Sequence, residues 1–403
     1  MRIAFVVQRY GDEVAGGAEA LCRGTARALA AAGHEMTVLT TTARDHLTWA
    51  PFYPAGEGRD GAVLVRRFAN AAGDPAAASR HRRALAVARA GWEAERGFAL
   101  AQGPVSPGLV AALAEERDRY EAIVLWTYLY ATTQLAAPIA AGRSVLVPAA
   151  HDEPMLRFAT TRGVVALADA FAFLTPEEWR LVDDLHGVGR RPAAVVGAGL
   201  DAVWGDAARA RRAVGLPPRF ALYLGRVDAG KGVAELIAAH EAYRARGGEL
   251  GLVLAGRADE HLRVPRWATA PGFVTATTRS DLLAAAEVVV MPSRNESLSL
   301  ALMEAWQEAR PTLATGRSDV LAGQTARSGG GLLYLSPDDY VRQLSRLQVS
   351  EPLRAALGAA GAAWAARQTW PAAAERWTSL LEDMRARRAV SGAGSSGRPS
   401  AAS

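Results

Sequence analysis

Short apolar runs rich in β-branched residues alternate with alanine-rich stretches along almost the whole chain. In the first half these runs fall at residues 3–7, 36–40, 63–68, 122–126, 145–147 and 170–174. Runs this short and this continuously apolar predict strands buried on both faces, with helices in the longer stretches between them. The first helix is expected over 18–32. Thr175-Pro176-Glu177-Glu178 marks another helix start, with Thr as N-cap, Pro at the first helical position and Glu at the third, completing a capping box. A second series opens near Ala194, with strands at 221–224, 250–254, 288–291 and 312–314 and helices near 233–246 and 300–308. Alternation of this kind builds parallel sheets from βαβ units. The pattern therefore predicts an α/β protein of two Rossmann-like domains of similar size, joined near 197–205. A final helical pair, 351–367 and 372–387, is divided by Trp370-Pro371. The Gly/Ser/Ala/Pro-rich tail 388–403 has no apolar pattern and predicts disorder.

Composition narrows the class of molecule. A chain of 403 residues, half of them apolar, has material for two or three domains with large cores. No run approaches the roughly 18 apolar residues of a membrane span, and the best candidate, 163–174, is interrupted by Asp169. Met1-Arg2 leads straight into a strand-like run with no signal-peptide cleavage pattern, and Cys22 stands alone, so no internal disulfide or cysteine metal cage can form. These features predict a soluble, cytoplasmic protein. The net charge of +5 suits anionic ligands or an inner-leaflet surface. It does not indicate a nucleic-acid partner, since no arginine stripe with interleaved aromatics and no recognised binding module is present. The densest basic cluster, Arg80-His81-Arg82-Arg83 followed by Arg89, reads as a solvated helix face or as a weak peripheral contact with a membrane.

Charge chemistry singles out one turn. Of the 46 basic residues 45 are arginine, and the one lysine lies in GRVDAGKG at 225–232. Ammonium is a compact point charge on a slim stem, whereas guanidinium is a wide planar fork. A glycine-flanked turn that must set a cation beside a phosphate in little room favours Lys231 over an arginine, and Arg226 adds a second cation in the same turn. Gly16-Gly17-Ala18-Glu19 lies between the first strand and first helix, where small residues let a ligand approach the backbone and helix amides face an anion. In MPSRNESLSLALMEAW at 291–306, Glu296 ends a loop leaving an apolar strand and Glu304 lies eight positions on, along the following helix. Glutamates are natural acceptors for sugar hydroxyls, so Glu296 could grip a hexose and Glu304 a ribose. The plainer alternative makes Glu304 a helix-surface residue and Glu296 a charge favourable to the helix dipole. His151-Asp152-Glu153-Pro154 follows a strand, and its histidine fits a metal ligand, a general base, a polar donor or an ordinary loop residue. A glycine series at 197–202 matches a GxGxxA dinucleotide fingerprint, but no convincing helix or ribose-binding acid follows, so it reads as linker.

Taken in this order, GGAE at 16–19, the His151 loop, GRVDAGKG at 225–232 and the pair Glu296 and Glu304 resemble retaining glycosyltransferases of family four with the GT-B fold. The resemblance extends to about Arg387. Further runs at 45–49, 127–130, 151–154 and 329–334 are similar to a subgroup common in bacterial surface-polysaccharide gene clusters. The resemblance implies two facing Rossmann-like domains with a deep interdomain cleft. An N-terminal acceptor-binding domain would span 1–195 and a C-terminal nucleotide-sugar-binding domain 196–370, with a last helix, 371–387, crossing back to the first. It implies that Arg226 and Lys231 hold the diphosphate and that Glu304 binds ribose. Glu296 and the amides of Leu298, Ser299 and Leu300 would hold donor sugar and phosphate, Gly16 and Gly17 would admit the donor, and His151 would contact the sugar at the reaction centre. No Asp-x-Asp element occurs in the chain, which predicts turnover without a metal or other cofactor.

The expected partners are thus a nucleotide sugar and a hydroxyl acceptor, for which a lipid-linked molecule is one candidate. Two other readings compete: a catalytically silent sugar-nucleotide binder acting as a scaffold, and a GT-B epimerase or phosphorylase. A phosphorylase needs a lysine for pyridoxal phosphate, and the one lysine is already placed in the diphosphate turn.

Overall fold

The computed structural model describes residues 1–14, 16–87, 91–202, 204–213 and 215–395. The chain forms two compact units: Met1–Gly199 with the chain from Trp370 onward, and Leu200–Thr369.

Among the described residues the first unit is built on an eight-stranded sheet of β1 (Arg2–Val6), β2 (Glu35–Thr41), β3 (Gly56–Asp60), β4 (Val63–Phe68), β5 (Ala122–Trp126), β6 (Ser144–Val147), β7 (Ala170–Phe173) and β8 (Ala193–Val195). The order is β3-β4-β2-β1-β5-β6-β7-β8, parallel throughout except for β3 against β4. Helices α1 (Gly17–Ala31), α2 (Pro75–Val87), α3 (Trp92–Gln102), α4 (Pro107–Glu116), α5 (Ala131–Ala140), α6 (Ala159–Leu167) and α7 (Pro176–His186) make the crossovers. Every residue of β5, β6 and β7 is buried, as parallel strands covered on both faces require.

The second unit opens with α8 (Ala207–Ala213) and carries β9 (Phe220–Leu224), α9 (Val233–Ala245), β10 (Gly251–Ala255), β11 (Thr269–Gly272), α10 (Ala276–Ala285) and β12 (Val288–Met291). It continues through α11 (Leu300–Gln307), β13 (Thr312–Thr315), α12 (Asp319–Ser328), β14 (Gly331–Tyr334), α13 (Pro337–Val349) and α14 (Glu351–Ala365). Its strands run parallel in the order β11-β10-β9-β12-β13-β14. The chain builds outward from β9 on one side, then returns beside β9 to build the other. In open α/β sheets the crossovers on either side of such a reversal leave toward opposite faces, and ligands bind in the crevice this opens at the carboxyl ends of the strands. The first sheet has the same reversal between β1 and β5.

The last helix, α15 (Trp370–Ser395), packs in the first unit although it is remote in sequence. The Trp377 ring lies 6.0 Å from Phe5 and 6.3 Å from Trp126, all three buried. Arg376 donates to the Val196 carbonyl at 2.9 Å, and Thr378 pairs with His34 at 2.9 Å.

Three expectations need correction. Residues 193–195 close the first sheet instead of opening the second: Val195 is in register with Phe173, and the Val196 amide donates to the Phe173 carbonyl at 2.8 Å. The tail expected to be disordered from 388 is helical through Ser395. Arg385, Ala386, Arg387, Arg388 and Ala389 are strong helix formers, and an established helix extends at one bond per added residue, here onward through the weaker formers Ser391, Gly392 and Gly394. Residues 396–403 lie outside the described residues. Strands β3, β11 and β14 escape the apolar pattern because each lies at or next to a sheet edge and is only partly covered. Among the described residues no single helix is long and apolar enough to cross a membrane.

Candidate functional site

In the second unit, the loops leaving β9 and β12 carry the lysine turn and the first glutamate. After β9, Asp228 caps a single 3-10 turn by accepting from the Lys231 amide at 2.8 Å, and its other oxygen pairs with Arg226 at 3.0 Å. Tyr223, buried on β9, donates to the Arg226 carbonyl at 2.7 Å and holds the turn from beneath. Gly232 ends the turn in the left-handed region at φ +73°, and a Cβ there would stand 2.7 Å from the Pro292 carbonyl oxygen. No side chain fits at that approach. It brings the two loops close enough for Lys231 Nζ to donate to Glu296 Oε1 at 2.7 Å and, more weakly, to the Asn295 carbonyl at 3.4 Å. Both side chains are mostly buried, while Arg226 remains more than half exposed.

From Glu296 the chain enters α11. Ser299 caps it by accepting from the Leu302 amide, and Leu298 and Leu300 flank the cap half-buried. The first-turn amides have no carbonyl one turn back, so this helix end favours anionic groups. Buried Gln324, from α12, accepts from the Ser299 amide at 2.8 Å and fixes the loop's direction. Glu304, one turn along α11, pairs with Arg279 of α10 at 3.1 Å. Burial raises its carboxyl above the ordinary range; Arg279 counters this and the Asp201 charge adds to it. The structure thus joins Lys231 to Glu296 directly, whereas Arg226 and Glu304 have partners of their own. Asp228, Arg279 and Gln324 are absent from the sequence-based set. Asp228 was within reach, as a carboxylate three residues before the lysine, but Arg279 and Gln324 carry no local signal.

Gly16, Gly17 and His151 belong to the first unit. The glycine pair divides into two different positions. A Cβ on Gly16 would collide with the Glu19 carboxylate, whereas one on Gly17 would meet open space. Glu19 is buried, and its Oε1 accepts from Gln8 Nε2 at 2.8 Å and from Arg9 Nε and Nη2 at 3.1 and 2.5 Å. Gly16 thus makes room for an internal ion pair that ties the loop after β1 to the first turn of α1. That is a structural reason for the residue which the ligand-approach reading did not contain.

His151 leaves β6 through Ala149, whose φ of +49° is unusual for a residue with a Cβ. Its Nδ1 is buried with no hydrogen-bond partner and lies 3.9 Å from Glu153 Oε2, beyond hydrogen-bond distance. Tyr128, from the loop after β5, donates to Glu153 Oε1. Glu178, fully buried at the start of α7, accepts from the Ala150 amide at 2.7 Å and the Leu174 amide at 2.6 Å. Burial pushes its carboxyl up to about 8, against the pull of the Leu174, Ala150, Thr175 and Ala149 amides. Among the described residues no group of three or more His, Cys, Asp or Glu side chains is placed to hold a metal ion.

Residues 218–348 match the family model Glycosyl transferases group 1, a span that takes in Arg226, Lys231, Glu296 and Glu304. A D-inositol 3-phosphate glycosyltransferase of Stackebrandtia nassauensis is 30% identical over 264 residues, covering 59% of this chain and 59% of its own length. D-inositol 3-phosphate glycosyltransferase 2 of Catenulispora acidiphila is 30% identical over 265 residues, covering 59% of this chain and 62% of its own length. The match therefore spans about three fifths of those relatives. Among solved structures, a sucrose-phosphate synthase of Thermosynechococcus elongatus superimposes with a TM-score of 0.73 at 19% identity, covering 96% of this chain and 99% of that one. HepE of Anabaena, solved with UDP and glucose, gives 0.67 at 16% identity, covering 95% and 100%. These likenesses show the fold, GT-B with two Rossmann-like α/β domains.

The different surroundings of the two glycines make a direct comparison. Gly16→Ala should cost about 1–3 kcal/mol, because its methyl group must displace a carboxylate held by three donors. Gly17→Ala, facing open space at the start of a helix, should stay within about 0.5 kcal/mol of the parent. Urea unfolding of both variants checks this. Equal stabilities would show that Glu19 yields freely and that Gly16 is not needed for the fold.

Proposed function

We propose that this chain is a retaining, metal-independent glycosyltransferase that moves a sugar from a nucleoside-diphosphate donor to an acceptor hydroxyl. The observation that carries this reading is the Lys231–Glu296 contact at the carboxyl ends of β9 and β12, with Arg226 in the same turn. A cation for phosphate and a carboxylate for sugar hydroxyls there suit a ligand that has both groups. The family model over 218–348 and the curated relatives named as glycosyltransferases support it, as does HepE, solved with UDP-glucose.

In this reading Arg226 and Lys231 hold the diphosphate, Glu304 the ribose, and Glu296 with the Leu298, Ser299 and Leu300 amides the sugar and adjoining phosphate. Gly17, with open space beside it, admits the donor to the start of α1, and His151 contacts the donor sugar. As the glycosidic bond breaks, the departing diphosphate gains negative charge. Fixed cations and helix amides that grip it best at that stage lower the barrier. The acceptor hydroxyl attacks on the face from which the diphosphate leaves and passes its proton to that group, which retains the anomeric configuration. The absence of an Asp-x-Asp element and the presence of two cations for the leaving group support turnover without a metal.

A screen of nucleotide sugars by thermal shift, followed by detection of released nucleoside diphosphate and product mass, tests the activity. One donor should raise the melting temperature and be consumed, and turnover should persist in excess EDTA. A thermal shift with no turnover would make the chain a silent binder. Turnover abolished by EDTA and restored by magnesium or manganese would overturn metal independence.

We also place the reaction in the cytoplasm, in the assembly of a cell-surface polysaccharide or glycoconjugate. For a lipid-linked acceptor, the inner face of the membrane would be met by Arg80, Arg82 and Arg83, all exposed on α2. Arg89, expected in the same cluster, lies outside the described residues. Each basic residue near an anionic surface contributes about 1 kcal/mol. The protein should therefore float with anionic vesicles at low salt and be released at high salt. No flotation at low salt, or flotation unchanged on neutralising the three arginines, would remove this contact.

A further inference from the structure

Glu178 does more in the structure than complete a capping box. It is fully buried, and its two carboxylate oxygens are used on two different strand exits. Oε2 accepts from Leu174, at the end of its own strand β7, as an N-terminal helix residue can. Oε1 reaches sideways to the Ala150 amide, in the loop leaving the neighbouring strand β6. That amide lies between Ala149, held in the left-handed region at φ +49°, and His151. A non-glycine residue keeps such a conformation only where its surroundings enforce it. The Ala150 amide bonds to Glu178 and the Ala149 amide faces the same carboxyl, so this one side chain ties the bend to the start of α7. The same short loop is also approached from the β5 side, where Tyr128 donates to Glu153, two residues after the histidine. His151 itself makes no bond that would set its direction from Nδ1. The backbone bend that delivers it therefore bears directly on where the ring sits.

We propose that Glu178 is a positioning residue for His151, acting through the Ala150 amide to hold the backbone bend that presents the histidine. The catalytic consequence rests on the assignment of His151 to the donor sugar; the holding itself does not. Leu174 and Thr175 give the carboxylate its purely local duty, and Ala150 gives it this second one.

Backbone hydrogen exchange on the full chain tests the holding without any ligand. Glu178→Gln keeps the shape but sets an amide donor where one backbone N–H needs an acceptor. Exchange across 149–152 should speed up at least tenfold while the strands of the second unit keep their protection. Unchanged exchange at 149–152, or a uniform rise throughout both units, would overturn the proposal. Glu178→Asp keeps the carboxyl group, shortens the reach and is read by the same outcomes if the glutamine variant does not fold. Turnover tests the catalytic consequence, with UDP-glucose or whichever donor of the screen is consumed. In Glu178→Gln, kcat should fall at least tenfold with the donor KM within about twofold. Adding it to His151→Ala should cost less than a further twofold. A full further loss in the double variant would show that Glu178 does not act through His151. If the wild-type chain consumes none of the nucleotide sugars, the transferase reading fails by itself, and the exchange comparison still decides whether Glu178 holds the loop.

Discussion

The contact between Lys231 and Glu296 depends on how closely two loops can pass. The lysine turn leaves β9 and the glutamate loop leaves β12, and the backbone of the first runs against the Pro292 carbonyl of the second at Gly232. A side chain at Gly232 would push the loops apart, and the ammonium and carboxylate with them. Asp228 holds the turn from its start, Tyr223 from below, and Gln324 fixes the direction in which the glutamate loop continues into α11. The compact head of lysine suits this approach, since a planar guanidinium needs a wider opening.

The first unit solves a related problem with buried carboxylates. Glu19 draws Gln8 and Arg9 from the loop after β1 onto the start of α1, and Glu178 ties the exits of β6 and β7 together. Breaking a buried, paired charge is costly, about 3–5 kcal/mol in typical cases, so the Glu19–Arg9 pair makes a rigid anchor for its loop, whereas Glu178 anchors through backbone amides alone. Gly16 serves the anchor, whereas Gly17 leaves the helix start accessible. A shared glycine pair in the sequence thus conceals two different physical roles.

What could be read in advance follows from where each signal lies. The central strands are buried on both faces and show as continuous apolar runs, so β1, β5, β9 and β12 stand out. Strand β3, Gly-Glu-Gly-Arg-Asp, is an exposed edge with no such run, and β8 lies at the opposite edge only half-covered. Helix α15 runs on to Ser395 through Ser391, Gly392 and Gly394, where composition alone suggested a loose tail. The lysine turn, the glutamate pair and the Thr175–Glu178 box have local signatures. Their partnerships do not: Lys231 and Glu296 are 65 positions apart, and their contact requires β9 and β12 to be neighbours. Gln324, Arg279 and the Ala150 bond of Glu178 likewise appear only once strand order is known.

Nucleoside-diphosphate binding by calorimetry, compared between the wild type, Lys231→Ala and Lys231→Arg, tests the central claim most directly. UDP, GDP, ADP and dTDP serve as ligands, with circular dichroism to confirm the fold. A charge-assisted contact of about 1.5–3 kcal/mol predicts that the tightest of these binds the alanine variant roughly ten- to a hundredfold more weakly. The size constraint at the Gly232 approach predicts that the arginine variant is impaired as well. An arginine variant that binds as tightly as the wild type would contradict the claim that this turn requires lysine, and an unaffected alanine variant would remove Lys231 from the diphosphate site altogether.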